Sequence, residues 1–156
     1  MSEGRVVRSV AELKKLVGQE TGVGQWFVID QERVNRFADL TGDHQYIHVD
    51  PERAARTPFG GTIAHGYLTL SLQPLLGRER EGVSIELPTR MAVNMGTNRV
   101  RFPGPVPVGR RIRLHTRLLS VKEGPDYVEI VNEQTVEVEG AERPGMVAET
   151  VSRLYL

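Results

Sequence analysis

A carboxylate and an imidazole lie five residues apart in the stretch from Thr41 to Pro51. The two groups are Asp43 and His48, and helix-breaking residues, Gly42 before them and Pro51 after them, predict that the pair lies in a loop. A carboxylate and an imidazole in a loop can together orient one water, remove its proton and return a proton to a substrate carbon. The structural alternative is that Asp43 bonds the backbone of a turn, while His48 is an ordinary polar residue near a helix start.

A second candidate feature is Ala64-His65-Gly66, which follows the glycine-rich turn at 59–61 and starts an apolar segment. Gly66 is therefore expected at a helix N-terminus, where backbone N–H groups lack partners within the helix and the potential is positive. Such an N–H could stabilise negative charge that develops on a carbonyl oxygen. Alternatively, Gly66 merely allows close packing of the helix on a sheet, and His65 is a structural residue of the first turn.

Two other sets of residues are weaker candidates, one for a metal site and one for contacts with a substrate or a subunit. His44 and His48 are four residues apart, a spacing that suits metal binding on a helix, but this stretch is predicted as a loop. The sequence therefore predicts no metal site. Asn98 and Arg99, on a bent strand, are candidates for contacts with a substrate or a neighbouring subunit, or else they are ordinary outward-facing polar residues.

Size and composition predict one soluble domain over residues 1–156. Hydrophobic residues make up 39% of the chain and charged residues 26%, and 20 basic side chains balance 20 acidic ones. This balance predicts neither a nucleic-acid nor an anionic-membrane partner. The absence of cysteine excludes disulfides and a thiol nucleophile, and is typical of a cytoplasmic protein. The N-terminal stretch 1–5 is charged, unlike a signal peptide, and the longest apolar run, 66–76, is too short to span a bilayer.

Short helices are predicted in the first half of the chain. Hydrophobic spacing and an N-cap at Ser9 predict a helix over 9–17. Asp30 caps a second helix that Gly42 ends, and Asp50 followed by proline starts a short third helix. The connections are predicted as a loop over 18–24 and a short strand over 25–29.

The second half combines one apolar helix with strands. Residues 65–76 are apolar around most of the helical circumference, which predicts a buried helix about 18 Å long. A charged loop over 77–90 is expected next, then alternating antiparallel strands over 91–102, 111–121, 127–138 and 146–156, with a bulge near Gly96. The predicted class is α+β, with an antiparallel sheet around a long central buried helix, and the sheet edges favour pairing between two copies.

The motifs together resemble the MaoC-like family of (R)-specific enoyl-CoA hydratases. The resemblance is clear over residues 28–109 and rests on these segments: Gly42-Asp43-x-x-x-Ile47-His48, Gly61-x-Ile63-Ala64-His65-Gly66, Asn98-Arg99-Val100-Arg101-Phe102 and Pro105-Val106-x-Val108-Gly109. It implies a hot-dog fold and a homodimer. It also implies syn addition of water to the trans-2 double bond of an acyl-CoA or acyl-carrier thioester, giving an (R)-3-hydroxyacyl product. By the same resemblance, Asp43 and His48 form the catalytic dyad, the Gly66 N–H holds the thioester oxygen, and no metal or redox cofactor takes part.

The chain departs from the family inside the first motif. The family has Asn-Pro where this sequence has Gln45-Tyr46. Glutamine keeps the amide but adds a methylene, and tyrosine removes the fixed φ of proline and adds bulk. Gln45 and Tyr46 therefore join His65, Asn98 and Arg99 as candidate substrate-binding residues, and the departure is expected to affect chain-length preference more than reaction class.

Two other functions use the same fold. A hot-dog thioesterase would hydrolyse the thioester, and release of free thiol would reveal it. A non-catalytic acyl-binding or scaffold subunit would need neither Asp43 nor His48. The spacing of this pair favours hydration over the thioesterase, and the presence of both catalytic candidates argues against a non-catalytic subunit.

Overall fold

The computed structural model describes residues 4–156, so the part of the N-terminal prediction that concerns residues 1–3 lies outside the described residues. The helices are α1 (Val10–Lys14), α2 (Gln31–Thr41), α3 (Tyr46–Val49), α4 (Pro51–Ala54), α5 (Gly66–Ser71) and α6 (Gln73–Leu76). The strands are β1 (Val6–Val7), β2 (Glu20–Gly24), β3 (Phe27–Val28), β4 (Arg80–Gly82), β5 (Ser84–Ile85), β6 (Met91–Arg101), β7 (Arg111–Glu123), β8 (Tyr127–Val138) and β9 (Met146–Tyr155).

One antiparallel sheet dominates the fold, as predicted. Its strand order is β4-β2-β7-β8-β9-β6, with β3 also paired to β7, while β1 and β5 form a separate parallel pair. The long strands β7, β8 and β9 are neighbours, and the fourth long strand, β6, forms one edge of the sheet in the described chain. The register of β6 against β9 shifts between Asn94 and Gly96, which confirms the predicted bulge.

The main core lies between this sheet and the helical segment after His65. Alternate residues of β7, including Ile112 and Leu114, are buried in one cluster with Leu68, Leu72 and Leu76 of the helical segment. The other face of the strands carries charged pairs, such as Arg113 with Glu137. Because one face is apolar and the other charged, the sheet covers the helix with its apolar side.

The local helix signals are confirmed by the structure. The side chains of Ser9, Asp30 and Asp50 each accept a hydrogen bond from the backbone N–H three residues later. Gly42 ends α2 in the left-handed conformation, with φ 80°, where glycine has no steric penalty. The first helix is shorter than predicted, however, because α1 ends at Lys14 rather than at residue 17.

The predicted helix over 65–76 is two helices. The break falls at Leu72, where α6 begins with Pro74 in its first turn, and proline cannot donate the backbone hydrogen bond that would continue α5. The prediction that this segment is buried all round is also wrong for the single chain, because Tyr67 is 72% exposed. One side of α5 therefore faces outwards.

Three predicted connections contain secondary structure. The loop over 18–24 includes β2, the charged loop over 77–90 includes β4 and β5, and the loop around the dyad includes the single-turn α3. The strand over 25–29 is reduced to Phe27–Val28. Strands β2 and β4 pair with one another, so their structure depends on a tertiary contact that their glycine-rich and charged sequences do not indicate.

No helix among residues 4–156 is both long enough and apolar enough to cross a bilayer.

Candidate active site

The dyad segment is held against a second segment of backbone. After Gly42 the chain turns into α3, and the Ile63 N–H donates to the Ile47 carbonyl over 3.0 Å. The next N–H, of Ala64, donates to the Val106 carbonyl over 2.8 Å. Residues 62–65 therefore lie between α3 on one side and the chain before β7 on the other, which brings the two predicted motifs together.

His48 is buried, and its orientation is fixed by a backbone carbonyl. Its Nδ1 lies 2.7 Å from the Ile63 carbonyl oxygen. Because a carbonyl only accepts, Nδ1 carries the proton and donates it, which leaves Nε2 of the neutral ring as the acceptor. The ring also lines a cavity of about 350 Å³, and its own backbone carbonyl accepts a hydrogen bond from Gln31 Nε2 over 2.7 Å.

Asp43 lies at the open side of the same site. Its side chain is 53% exposed, and Oδ2 is 4.0 Å from Nε2 of His65. Its Oδ1 accepts from the Gln45 backbone N–H over 3.3 Å. One ligating atom from each of Asp43, His48 and His65 lies within 4.8 Å of the others, so the fold brings the carboxylate and the imidazole of the predicted dyad within reach of one water molecule.

His65 is the third member of this cluster. Its ring stacks on that of His48, with centroids 3.9 Å apart and planes inclined by 23°. Its Nε2 lies 3.0 Å from the Asp43 carbonyl oxygen, and its buried Nδ1 has no hydrogen-bond partner among the described residues. Burial lowers the pKa of His65, against the opposing effect of the hydrogen bond to Asp43, so the ring is held in its neutral form.

Gly66 follows directly and lines the same cavity as His48. It is the first residue of α5, so its N–H has no partner within that helix. A Cβ at this position would lie 3.0 Å from two ring atoms of Phe102. The glycine is therefore needed for the close approach of the Phe102 ring, which agrees with the packing interpretation and leaves the N–H at the cavity wall.

The other candidate residues lie around this centre. Gln45 is exposed at the start of α3, and Tyr46 is half-buried beneath the guanidinium of Arg53, 4.2 Å from the ring centroid. Asn98 and Arg99 are exposed on β6, and in the described chain neither lines the cavity that holds His48 and Gly66. Their contact with a substrate or a neighbouring subunit stays a prediction.

The Asp43, His48 and His65 cluster is also the set that could hold a metal ion. The two rings are stacked nearly parallel, so their nitrogen lone pairs run side by side and do not converge as a tetrahedral site requires. Nε2 of His65 is also engaged with the Asp43 carbonyl. The geometry fits a hydrogen-bonded acid–base site better than a metal centre, and the expected absence of a metal stays a prediction.

Two residues that support the site are not suggested by the sequence. Gln31 on α2 donates to the His48 carbonyl and accepts from the hydroxyl of Thr62. The partner of the His48 ring is the backbone carbonyl of Ile63. A backbone acceptor has no side-chain signature, and Gln31 precedes His48 by 17 residues, so neither contact follows from local spacing.

Comparison with known proteins identifies the family. Residues 12–140 match the family described as MaoC like domain. The chain belongs to the MaoC-like family. It is 49% identical over 150 residues to the 3-hydroxyacyl-thioester dehydratase Z of Mycobacterium tuberculosis, covering 96% of this chain and 97% of the relative. It is also 32% identical over 108 residues to the (R)-specific enoyl-CoA hydratase of Aeromonas caviae, covering 69% and 73%.

The fold is that of solved MaoC-like proteins. The crystal structure of the MaoC-like dehydratase from Rhodospirillum rubrum superposes with a TM-score of 0.71 at 22% identity, covering 89% of this chain and 92% of that one. The predicted hot-dog fold and the family resemblance are thereby confirmed. The named relatives are dehydratases and hydratases, which supports assignment of this MaoC-like protein to the hydro-lyases.

Proposed function

We propose that this protein catalyses the (R)-specific hydration of trans-2-enoyl-CoA thioesters to (R)-3-hydroxyacyl-CoA, and the reverse dehydration. The observation that carries the proposal is the arrangement of His48. Its Nδ1–H donates to the Ile63 carbonyl, so Nε2 is the available base, and the Asp43 carboxylate lies in the same cluster. The names of the two relatives support both directions of the reaction.

In this mechanism Asp43 accepts a hydrogen bond from one hydrogen of a water molecule, which stays on the oxygen, and His48 Nε2 removes the other hydrogen as a proton. The water oxygen bonds to C3, and the electron pair of the double bond moves through C2 to the thioester oxygen. The Gly66 N–H stabilises the resulting enolate oxygen, an interaction that typically lowers a barrier by about 3 kcal/mol. His48 then returns its proton to C2, so the hydrogen and hydroxyl add to one face and the dyad is regenerated.

No redox cofactor is required in this scheme, because water addition is redox-neutral, and no metal is required, because the dyad itself activates the water. The carrier of the acyl chain is CoA or an acyl-carrier protein, both of which present the same thioester. Treatment of the protein with a chelator is expected to leave the hydration rate unchanged. We also propose a cytoplasmic location, for which the absence of cysteine is the supporting observation.

A homodimer is part of the proposal. The edge strand β6, the residue Phe102 that follows it and the outer side of α5 expose large apolar side chains, among them Met95 and Tyr67. A second copy placed against this edge would bury them and pair the free strand edge. Sedimentation at several protein concentrations is expected to give twice the mass of the 17.4 kDa chain, whereas a monomer at all concentrations would contradict this part of the proposal.

The enzymatic test uses trans-2-butenoyl-CoA and trans-2-octenoyl-CoA, with loss of the enoyl absorbance followed in time and the product analysed for chirality. The (R)-3-hydroxyacyl product is expected with the wild type. Asp43→Asn and His48→Gln are each expected to lower kcat by about 10²–10⁴-fold without loss of folding, because each removes a positioned proton-transfer group.

The matched control is Asp39→Asn, which changes an exposed aspartate that bonds His44 outside the cluster. This variant is expected to retain the wild-type rate. Release of free thiol without loss of the enoyl absorbance would favour a thioesterase, and binding of the thioester without either change would favour an acyl-binding subunit.

A further inference from the structure

His65 contacts both members of the proposed dyad at once. Its Nε2 bonds the Asp43 carbonyl oxygen at 3.0 Å, and its ring stacks on His48 with centroids 3.9 Å apart. Phe37 also packs against the His65 ring, with centroids 5.0 Å apart. The side chain is only 3% exposed, so packing leaves it little freedom to rotate.

The protonation state of His65 follows from its partners. The Asp43 carbonyl can only accept, so Nε2 carries a hydrogen and donates it. The buried Nδ1 faces no hydrogen-bond acceptor among the described residues, and a proton there would be unsatisfied at a cost that burial makes large. His65 is therefore a neutral imidazole with one defined donor, Nε2, whereas its neighbour His48 donates through the other ring nitrogen, Nδ1.

Asp43 needs such an anchor because its own loop holds it weakly. Its N–H reaches the Thr41 hydroxyl only at 3.5 Å, and its Oδ1 accepts from the Gln45 N–H at 3.3 Å. Among the hydrogen bonds of residues 4–156, the bond from His65 is the one that reaches Asp43 from outside residues 41–45. It joins the exposed loop to the buried start of α5.

We propose that His65 is a positioning residue that fixes the distance between Asp43 and His48, holding one by a hydrogen bond and the other by ring stacking. The inference rests on the proposed hydration reaction. His65 does not exchange protons with the substrate in this role. It acts through the two groups that do, and a misplacement of about 1 Å in such a pair can lower turnover by about 10²-fold.

Three variants separate the two contacts. His65→Gln keeps an N–H donor of similar reach and loses the ring, and His65→Met has similar length with neither feature. His65→Phe keeps a ring and loses the donor. We expect kcat to fall by about 10²-fold in His65→Met and by less than about tenfold in His65→Gln, with KM changed by less than about threefold in both. His65→Phe is expected to lie between them.

A purely structural role would give another pattern. Equal kcat values for His65→Gln and His65→Met, at equal melting temperatures, would overturn the inference, as would a loss that appears only in KM. Long-range ¹H–¹⁵N spectra of the histidine rings give a readout besides activity. They are expected to show a neutral Nε2–H tautomer for His65 in the wild type, and a protonated or Nδ1–H ring would overturn the inference as well.

The test distinguishes failure of the inference from failure of the proposed function. If the wild type does not hydrate either enoyl-CoA, the proposed reaction is wrong, and the positioning role for it falls as well. Suppose instead that the wild type is active, that Asp43→Asn is not, and that the three His65 variants have the same kcat as one another. In that case only the positioning role is refuted.

Discussion

Replacing Gln31 by methionine tests whether the backbone of the dyad segment is held from α2. The Gln31 amide donates to the His48 carbonyl at 2.7 Å and to Asn35 Oδ1 at 2.9 Å, and its oxygen accepts from the Thr62 hydroxyl. Methionine has a similar length but forms none of these bonds. The buried Thr62 hydroxyl loses its acceptor and the His48 carbonyl loses a donor.

The expected cost follows from these two unsatisfied groups. Leaving a buried polar group without a partner costs about 1–3 kcal/mol. We therefore expect Gln31→Met to lower the free energy of unfolding by about 2 kcal/mol. For a chain of this size, that change lowers the melting temperature by about 4–8 °C. The kcat of hydration is also expected to fall, because the main chain of His48 is less restrained.

The assay is a double-mutant cycle with Thr62→Val, measured by urea unfolding and by thermal melting. Thr62→Val alone leaves the Gln31 oxygen without its donor, whereas the double variant removes both partners. The double variant is therefore expected to lose about 1 kcal/mol less unfolding free energy than the two single variants lose together. Gln19→Met is the matched control, because the Gln19 side chain is exposed and bonds only the Lys15 carbonyl. Its cost is expected to stay within about 0.5 kcal/mol.

Two outcomes would refute this reasoning. If the losses of Gln31→Met and Thr62→Val add to within about 0.3 kcal/mol, the two side chains are not coupled. If Gln31→Met costs no more than Gln19→Met, the bond to the His48 carbonyl does not stabilise the fold.

The remaining predictions concern pH and the altered motif. Burial places the pKa of His65 below its usual value of 6.5, so below that pH the unfolded chain binds a proton that the folded chain does not, and stability falls as the pH drops. Unfolding curves from pH 7.5 to 5 are expected to show this loss in the wild type and a smaller loss in His65→Phe; equal losses would contradict it. Tyr46→Pro is expected to change the free energy of unfolding by less than about 1 kcal/mol. It is also expected to be more stable than Tyr46→Ala by about 0.4–1 kcal/mol. A lower melting temperature for Tyr46→Pro than for Tyr46→Ala would contradict this prediction.

The sequence predicted those parts of the fold whose causes are local. An N-cap such as Asp30 acts on the backbone three residues away, and Gly42 ends α2 through its own φ. Strand β7 alternates apolar and polar positions over residues 111–118, with Thr116 in the apolar phase, and β8 alternates over 127–130 and 135–138, so their class is clear without knowledge of their partners.

Strands β2 and β4 could not be predicted in this way. Gly22 pairs with Gly82 on one side and with Thr116 on the other, partners that lie 60 and 94 residues further along the chain. Gly24 approaches α6 so closely that a Cβ would lie 2.2 Å from the Leu76 carbonyl oxygen. At Gly24 the residue that looks like a loop signal is therefore required by the fold, because neighbouring backbone leaves no room for a side chain.

In the site, as in the fold, the sequence indicates some residues but not the contacts that depend on tertiary structure. Asp43 and His48 were chosen for their chemistry, and the fold brings them together. The roles of Gln31 and of the Ile63 carbonyl depend on how α2, α3 and the segment before α5 meet. A supporting contact made by a main-chain carbonyl leaves no trace in residue types, so only the three-dimensional structure can reveal it.

The departure from the family motif at Gln45-Tyr46 changes little in the backbone that carries the dyad. Tyr46 is the first residue of α3, a position where proline is favoured because its N–H would have no partner within the helix. Gln45 before it has φ −57° and ψ 134°, the conformation that a following proline also imposes. The backbone between Asp43 and His48 therefore takes a path that is compatible with either tyrosine or proline at position 46.

Tyrosine replaces a local restraint on φ by a contact between two helices, since its ring lies under Arg53 of α4. The additional methylene of Gln45 extends from an exposed side chain, so it has room in solvent and does not push the dyad apart. The substitution is thus expected to retain the geometry on which the proposed proton transfer depends. Any functional consequence is expected at the rim of the site, in the acyl chains that it accepts, and not in the reaction proposed for Asp43 and His48.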